Sequence, residues 1–314
     1  MPDMSYPVAG GTVPGYLAVP SGPGGPWPGV VVIHEVFGLN DDIRRKADEL
    51  AAHGYLALAP DLFGGKSWAR CVRGAFRQLK AGSGPAFTTL DAAQGFLAGR
   101  ADCTGKTGVI GFCMGGGFAL LCAPRGGFAA AAVNYGQVPD DAESVLAGSC
   151  PIVGSYGGRD RGLSTRHPER LQRALTVLEV PHDVQVYPGA GHRFMSEATG
   201  AGAVIARVTG MSYQEHDAAD AWQRIYTFLG RYLRSELSGE IAGPGPGRYG
   251  RKPGRANFAY SGDCRKSSAA WLARAGPAAS PCSSGSGSWW IRCAGTCLPS
   301  SSAVRATIAA GPQM

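Results

Sequence analysis

The 314-residue chain has no long apolar run: no stretch reaches the roughly 18 uninterrupted apolar residues of a membrane span. Its first residues also lack the basic start and apolar core of a signal peptide. The nine cysteines are an odd number without paired spacing in the first 240 residues, which favours a reduced state over a disulfide framework. These absences predict a cytoplasmic protein that does not act at a membrane.

Metal-ligand spacing is also missing, because none of the six histidines lies in an H-x-x-x-H pattern and no C-x-x-C pair is present. We therefore expect no metal site. The net charge of +7 comes entirely from the segment that begins at Ser238, which has nine Lys and Arg against two acids. The body of the chain is neutral, and its composition does not predict a nucleic-acid surface.

The segment 238–314 differs from the rest of the chain in composition. It is rich in Gly, Pro, Ser, Ala and Arg and has little apolar periodicity, so it cannot bury enough surface to offset its ordering entropy. We expect a domain at 1–237 followed by a disordered basic tail at 238–314. Two alternatives for the tail are a reading-frame artefact and a nucleic-acid or membrane contact through Trp289, Trp290 and its basic residues.

Short apolar runs alternate with amphipathic stretches along the body of the chain, after edge strands joined by a loop within 1–28. Strands are predicted at 29–34, 55–60, 109–110, 128–135, 151–156 and 183–187. Helices are predicted at 41–53, 88–99, from 118 onward, at 168–178 and at 222–237, and a connection is predicted from 61 to 84. The alternation predicts an α/β fold with a mainly parallel central sheet and helices on both faces.

The segment Gly111-Phe112-Cys113-Met114-Gly115 lies between a predicted strand and a predicted helix. It matches the nucleophile-elbow pattern G-x-S-x-G with cysteine in place of serine. The pattern needs glycines because the nucleophile occupies a strained turn with neighbouring backbone close by. A cysteine at a helix N-terminus is favoured as thiolate. The alternative is that Cys113 is a small buried apolar residue, as free cysteines usually are.

A cysteine nucleophile needs a base, and the base needs a group that orients it. Asp160 and His192 each follow a predicted strand, and the order Cys113, Asp160, His192 is that of the nucleophile, acid and histidine in α/β-hydrolases. Ligands of open parallel sheets bind beyond the carboxyl ends of the strands. The fold and the chemistry therefore predict the same location for a site, which also includes Glu35.

Five short motifs together resemble the dienelactone hydrolase family: His34-Glu35-Val-Phe-Gly38, Ala59-Pro60-Asp61-Leu62, Gly111-Phe-Cys113-Met-Gly-Gly116, Gly158-Arg-Asp160 and Gly189-Ala-Gly-His192. The resemblance covers about residues 7–237. It implies an α/β-hydrolase fold, no cofactor, and hydrolysis of lactones or small esters, in the family's name case the conversion of a dienelactone to maleylacetate. A small-molecule substrate and a monomer or weak dimer are expected.

Carried over by matched position, the resemblance implies that Cys113 is the nucleophile, His192 the base and then the acid, and Asp160 the residue that orients it. Glu35 would contact the thiol in the resting enzyme and accept its proton when substrate binds. Such a thiolate, formed on demand, would be protected from oxidation. Backbone N–H groups of Val36 and Met114 would form the oxyanion hole.

The sequence specifies the substrate less closely than it specifies the catalytic triad. Family members that act on dienelactone use arginines to bind the substrate carboxylate, one of them shortly after the histidine, where this chain has Met195 and Ser196. Arg193 is a candidate replacement, and Arg70 or Arg73 could supply the other contact. A glutamate in the position of Glu35 could instead be a structural carboxylate. The rival hypothesis for the whole chain is a catalytically silent α/β-hydrolase fold that serves as a binding module.

Overall fold

The computed structural model describes residues 3–22, 24–197 and 213–234. The expected domain boundary after Leu237 and the tail 238–314 lie outside the described residues and remain predictions. None of the helices in the described residues combines the length and the apolar composition that a membrane span requires.

One eight-stranded sheet forms the centre of the described chain. Its strands are β1 (Asp3–Val8), β2 (Gly11–Ala18), β3 (Trp27–Ile33), β4 (Leu56–Pro60), β5 (Cys103–Phe112), β6 (Ala130–Asn134), β7 (Ile152–Gly157) and β8 (His182–Tyr187). They lie in the order β1-β2-β4-β3-β5-β6-β7-β8. The β1–β2 and β2–β4 pairs are antiparallel and all the others are parallel. The predicted mainly parallel sheet is confirmed.

Helices cover both faces of this sheet, as expected. They are α1 (Asp41–Ala52), α2 (Trp68–Ala81), α3 (Pro85–Ala98), α4 (Met114–Cys122), the short α5 (Ala142–Val145), α6 (Arg166–Val177) and α7 (Glu215–Leu233). Helices α1 and α7 pack in one apolar layer, and α2, α3, α4 and α6 in the other.

Central strand β3 shows why both faces are covered. Val30 and Val32 belong to the layer of α1 and α7, whereas Val31 and Ile33 belong to the opposite layer. All four side chains are fully buried. Successive side chains of a strand point to opposite faces, so a continuous β-branched run is apolar toward both layers.

Helix α2 lies within the segment 61–84, where a plain connection was expected, and that prediction is wrong. Ala75 and Leu79 lie one turn apart on its buried side, and Gly82 ends the helix in a left-handed conformation with φ of 63°. Four basic residues dominate the segment and obscure this apolar spacing. The signal in the sequence was the four-residue spacing of Cys71, Ala75 and Leu79 followed by a glycine.

The parallel strands end at one edge of the sheet, and this edge carries the candidate residues. Glu35 follows β3, Cys113 follows β5, Asp160 follows β7 and His192 follows β8. Parallel pairing of β3 with β5, β5 with β6, β6 with β7 and β7 with β8 gives these strand ends the same direction.

Candidate active site

The turn between β5 and α4 gives Cys113 an unusual backbone, with φ of 55° and ψ of −117°. Its N–H donates to the carbonyl oxygen of Asn134 at 3.0 Å. A Cβ on Gly111 would lie 1.9 Å from the Gly115 carbonyl oxygen, and one on Gly115 would lie 2.3 Å from the Ile33 carbonyl oxygen. Both glycines are required because main chain approaches them closely, which is the reason that the elbow pattern predicts.

The imidazole of His192 lies between Cys113 and Asp160. Its Nε2 is 3.1 Å from the Cys113 Sγ, and its Nδ1 is 2.6 Å from the Asp160 Oδ2. The other oxygen of Asp160 accepts the backbone N–H groups of Gly162 and Leu163, at 2.7 and 2.9 Å. The carboxylate is thereby fixed, and since it can only accept, it orients Nδ1–H toward itself and leaves Nε2 for the thiol.

The charge on His192 depends on the same two contacts. Burial alone lowers the pKa of His192, but the hydrogen bonds with Asp160 and Cys113 outweigh burial and raise that pKa above its usual value. The His192 side chain is only 14% exposed and that of Asp160 only 2%. The arrangement can accept a thiol proton on Nε2 and stabilise the resulting imidazolium.

The carboxylate of Glu35 has partners other than the thiol. Its Oε2 accepts a hydrogen bond from the Arg193 Nε at 2.6 Å and is ion-paired with the Arg193 Nη2 at 2.6 Å. Its Oε1 accepts the Ser196 hydroxyl at 2.7 Å, and the Tyr135 hydroxyl oxygen lies 3.4 Å from the same Oε1. The resting contact between Glu35 and Cys113 that the resemblance implied is not the arrangement found. A charge-assisted pair with a guanidinium is stronger than a hydrogen bond with a thiol, which explains this choice of partner.

His34 fixes the loop that begins with Glu35. It is fully buried, its Nδ1 lies 2.6 Å from the Glu35 carbonyl oxygen, and its Nε2 accepts the N–H of Leu62 at 3.1 Å. Burial lowers the pKa of His34, which agrees with a neutral ring that donates through one nitrogen and accepts through the other. The loops after β3 and β4 are thus joined beside the site.

The two amides that were expected to form the oxyanion hole belong to the loop after β3 and to the first residue of α4. Within the described part of the chain, the N–H groups of Val36 and Met114 donate to no backbone or side-chain acceptor. The first turn of α4 packs against the end of β3, because a Cβ on Gly115 would lie within 2.6 Å of the carbonyl oxygens of both Ile33 and His34. Neither amide is thus used by the described part of the fold, and the oxyanion hole remains a prediction.

The three candidate arginines differ in their surroundings. Arg193 is 12% exposed, pairs with Glu35 and stacks over the ring of Phe37 at 4.9 Å. Arg70 and Arg73 are exposed on α2, and the side chain of neither forms a hydrogen bond or ion pair with another described residue. Of the three arginines, Arg193 is the one whose side chain contacts another candidate site residue, Glu35.

Several site residues were missed by the sequence analysis. The polar residues Tyr135, Ser196, Lys46 and Asp42 are all at least nine-tenths buried around Glu35. For Lys46 a signal existed, because it shares the buried face of α1 with Ile43 and Leu50. Ser196 had no such signal, since its partners are distant in sequence.

Groups of three or more His, Cys, Asp or Glu side chains able to bind a metal ion do not occur among residues 3–22, 24–197 and 213–234.

A mainly parallel eight-stranded sheet covered by helices, with the elbow cysteine beyond its central strand, is the α/β-hydrolase fold. Residues 13–233 match the sequence model of the dienelactone hydrolase family, and the chain belongs to that family. The family and its named relatives support a hydrolase.

Named relatives agree with this assignment. A Methylorubrum extorquens protein provisionally named carboxymethylenebutenolidase is 30% identical over 247 residues, covering 73% of this chain and 80% of that protein. An Escherichia coli K12 protein with the same provisional name is 28% identical over 243 residues, covering 73% and 86%.

Two solved structures share the fold. One is a protein of Klebsiella pneumoniae provisionally titled a dienelactone hydrolase, 27% identical, with a TM-score of 0.62 over 74% of this chain and 98% of that one. The other is P91 from metagenomic libraries, titled a dienelactone hydrolase-like promiscuous phosphotriesterase. It is 23% identical, with a TM-score of 0.64 and the same coverage, and it supports the fold alone.

Proposed function

We propose that the protein hydrolyses small carboxylic esters or lactones through a thioester on Cys113, with His192 as base and then acid and Asp160 as its orienting group. The observation that supports this proposal is the pair of distances at His192, 3.1 Å to the Cys113 Sγ and 2.6 Å to the Asp160 Oδ2. A nucleophile, a base and an orienting carboxylate within hydrogen-bond reach are the minimum set for such catalysis.

The first half of the proposed reaction forms the thioester. His192 Nε2 takes the Sγ proton, and the thiolate attacks the carbonyl carbon of the substrate, so that a C–S bond forms and an electron pair moves to the carbonyl oxygen. The amides of Val36 and Met114 donate to this oxyanion. The C–O bond to the leaving group then breaks, and His192 gives its proton to the leaving oxygen.

The second half releases the acid. A water molecule gives a proton to His192 Nε2 and attacks the thioester carbon, and the C–S bond breaks as Cys113 recovers its proton. In this scheme His192 is the base, because its Nε2 is already within hydrogen-bond distance of the Cys113 Sγ. Glu35 remains paired with Arg193 and acts by positioning the loop that carries His192.

The ion pair between Arg193 and Glu35 affects which substrate charge the site can bind. The guanidinium of Arg193 is already ion-paired with the buried Glu35 carboxylate through two nitrogens, so an anionic substrate would have to displace Glu35 to bind it. Arg70 and Arg73 remain candidates for a substrate carboxylate only if their exposed side chains turn toward the site. We therefore expect neutral esters to be hydrolysed and dienelactone to depend on this displacement.

The experiment compares cis- and trans-dienelactone with a neutral small aryl ester, using wild type, Cys113→Ala, His192→Ala and Cys71→Ser. We expect both active-site variants to lose at least about 10³-fold in kcat. Cys71→Ser, a half-buried thiol on α2, should retain wild-type rates. Near wild-type turnover in Cys113→Ala or His192→Ala would refute the triad.

The substrates separate the remaining possibilities. Efficient turnover of dienelactone would show that Arg193 or the α2 arginines accept a carboxylate. Turnover of the neutral ester alone, still dependent on Cys113, would establish the triad with a different substrate. If wild type cleaves neither, and Cys113 is alkylated no faster than Cys71 or Cys150, the catalytically silent binding module becomes the better description.

A further inference from the structure

Lys46 is a buried cation on helix α1. It is 4% exposed and shares the apolar face of the helix with Ile43, Ala47 and Leu50. Burial of an ammonium group destabilises a protein unless hydrogen bonds and an opposite charge compensate the lost hydration. A lysine at this position therefore needs an explanation.

The Lys46 ammonium group has three partners. Its Nζ is ion-paired with the Asp42 Oδ2 one turn earlier in α1. It also donates to the Ser196 Oγ at 3.2 Å, and it lies 4.8 Å from the centroid of the Phe112 ring, within cation–π range. The partners of Lys46 all belong to the protein itself. One of them, Ser196, lies in the loop after β8 that carries His192, which we call the histidine loop.

The directions of the hydrogen bonds around Ser196 follow from chemistry. Lys46 can only donate, so the Ser196 oxygen accepts from it. The single hydroxyl proton of Ser196 points to the Glu35 Oε1 at 2.7 Å, and Tyr135 then donates to the Ser196 oxygen at 2.8 Å. Lys46, Ser196 and Glu35 thus form a chain with one polarity, from the cation to the carboxylate.

Asp42 adds a second connection to the same loop. Its Oδ1 accepts the backbone N–H of Glu197 at 3.1 Å and also accepts Arg45 at 3.1 Å. Ser196 and Glu197 follow His192 by four and five residues. The first turns of α1 therefore bind two consecutive residues of the histidine loop, one through each member of the buried ion pair.

We propose that the Lys46–Asp42 pair is a positioning device for His192 that acts through Ser196 and Glu197. The inference rests on the proposed role of His192. A pair that served stability alone could be replaced by packed apolar side chains at little cost. Here each member of the ion pair binds the histidine loop. Ser196 in turn donates to Glu35, which directly precedes Val36 and its proposed oxyanion amide.

The test uses variants that avoid an unpaired buried charge. Lys46→Met combined with Asp42→Asn removes both charges and keeps an amide oxygen for the Glu197 N–H. Ser196→Ala removes one hydroxyl, Ser196→Thr keeps it, and Lys106→Met is the control at an exposed lysine. Three quantities are measured for each: kcat and KM for a neutral ester, the rate of Cys113 alkylation by iodoacetamide from peptide mapping, and the urea midpoint.

We expect Ser196→Ala and the charge-removing pair each to lower kcat and the Cys113 alkylation rate about tenfold, because small displacements of a catalytic group are costly. KM should change less than about twofold, since substrate binding is not the target. Adding Ser196→Ala to the Lys46→Met/Asp42→Asn double variant should lower both rates little further, because both changes break the same chain of hydrogen bonds. Ser196→Thr, which keeps the hydroxyl, should have the wild-type kcat and alkylation rate.

Unchanged kcat and alkylation rates with a lower urea midpoint would overturn the proposal and leave a structural ion pair. Fully multiplicative effects would also contradict it, because Lys46 would then not act through Ser196. Failure of the proposed function is seen separately, as wild-type hydrolysis that survives Cys113→Ala. In that case the alkylation rates still report whether these residues position His192 beside the thiol.

Discussion

Glu35 and Arg193 form a buried ion pair in which two guanidinium nitrogens, Nε and Nη2, each lie 2.6 Å from one carboxylate oxygen. The two residues belong to different loops, one leading to the proposed oxyanion amide of Val36 and the other following His192. Their pairing connects the two sides of the site.

Glu35→Gln keeps the shape of the side chain and removes the counter-ion of Arg193. Breaking a buried pair from one side leaves an uncompensated charge, so we expect the free energy of unfolding to fall by about 3 kcal/mol. The released guanidinium should also lower KM for dienelactone relative to a neutral ester. Urea unfolding and the ratio of the two KM values check this, and an unchanged ratio would contradict the view that Glu35 occupies Arg193.

Gly111→Ala should abolish activity and destabilise the fold, because the added Cβ would lie 1.9 Å from the Gly115 carbonyl oxygen in the cysteine turn. Gly74→Ala is the matched control within helix α2, where nothing lies within 4 Å of the added atom. The control should gain about 0.5–1 kcal/mol from helix propensity. Thermal unfolding and ester hydrolysis distinguish the two, and an active Gly111→Ala variant would refute the strained-turn argument.

Asp160→Asn should reduce stability in a pH-dependent way. The folded-state pKa of His192 is raised, so its protonated form stabilises the fold fully below the unfolded value of about 6.5. That contribution is lost as the pH rises through the folded-state pKa. The difference in unfolding free energy between wild type and Asp160→Asn should therefore be largest below pH of about 6.5 and shrink at higher pH.

Urea unfolding across this pH range measures the Asp160 effect. Asp91→Asn serves as the control, because Asp91 pairs with Arg125 at the surface and does not contact a histidine. A difference that grows with pH would show that Asp160 does not stabilise the imidazolium.

Tyr135→Phe removes the hydroxyl that lies 2.8 Å from the Ser196 Oγ and keeps the ring that packs edge-on against His192 at 5.3 Å. We expect a loss of about 1 kcal/mol in unfolding free energy and a fall in kcat of only a few fold, because Lys46 still orients Ser196. Steady-state kinetics and urea unfolding test this. A fall in kcat as large as that of His192→Ala would mean that Tyr135 acts directly on the substrate.

Much of the fold was predictable because it depends on local patterns. The buried strands are short β-branched or apolar runs, and each predicted strand lies within or overlaps an observed one. The helix from Asp41 begins at Asn40, whose side chain accepts the N–H of Ile43 at 3.1 Å, as its start signal indicates. Helix α2 was missed because exposed basic residues masked the spacing of its few buried ones.

The sequence by itself determined the elbow turn and the order of Cys113, Asp160 and His192 at one edge of the sheet, because glycine spacing and strand ends are local features. The tertiary structure decided which partners Glu35 has. Arg193 and Ser196 are 158 and 161 residues away from it, and Lys46 reaches Ser196 across 150 residues. Such contacts leave no local pattern, because burial and charge compensation in three dimensions select them.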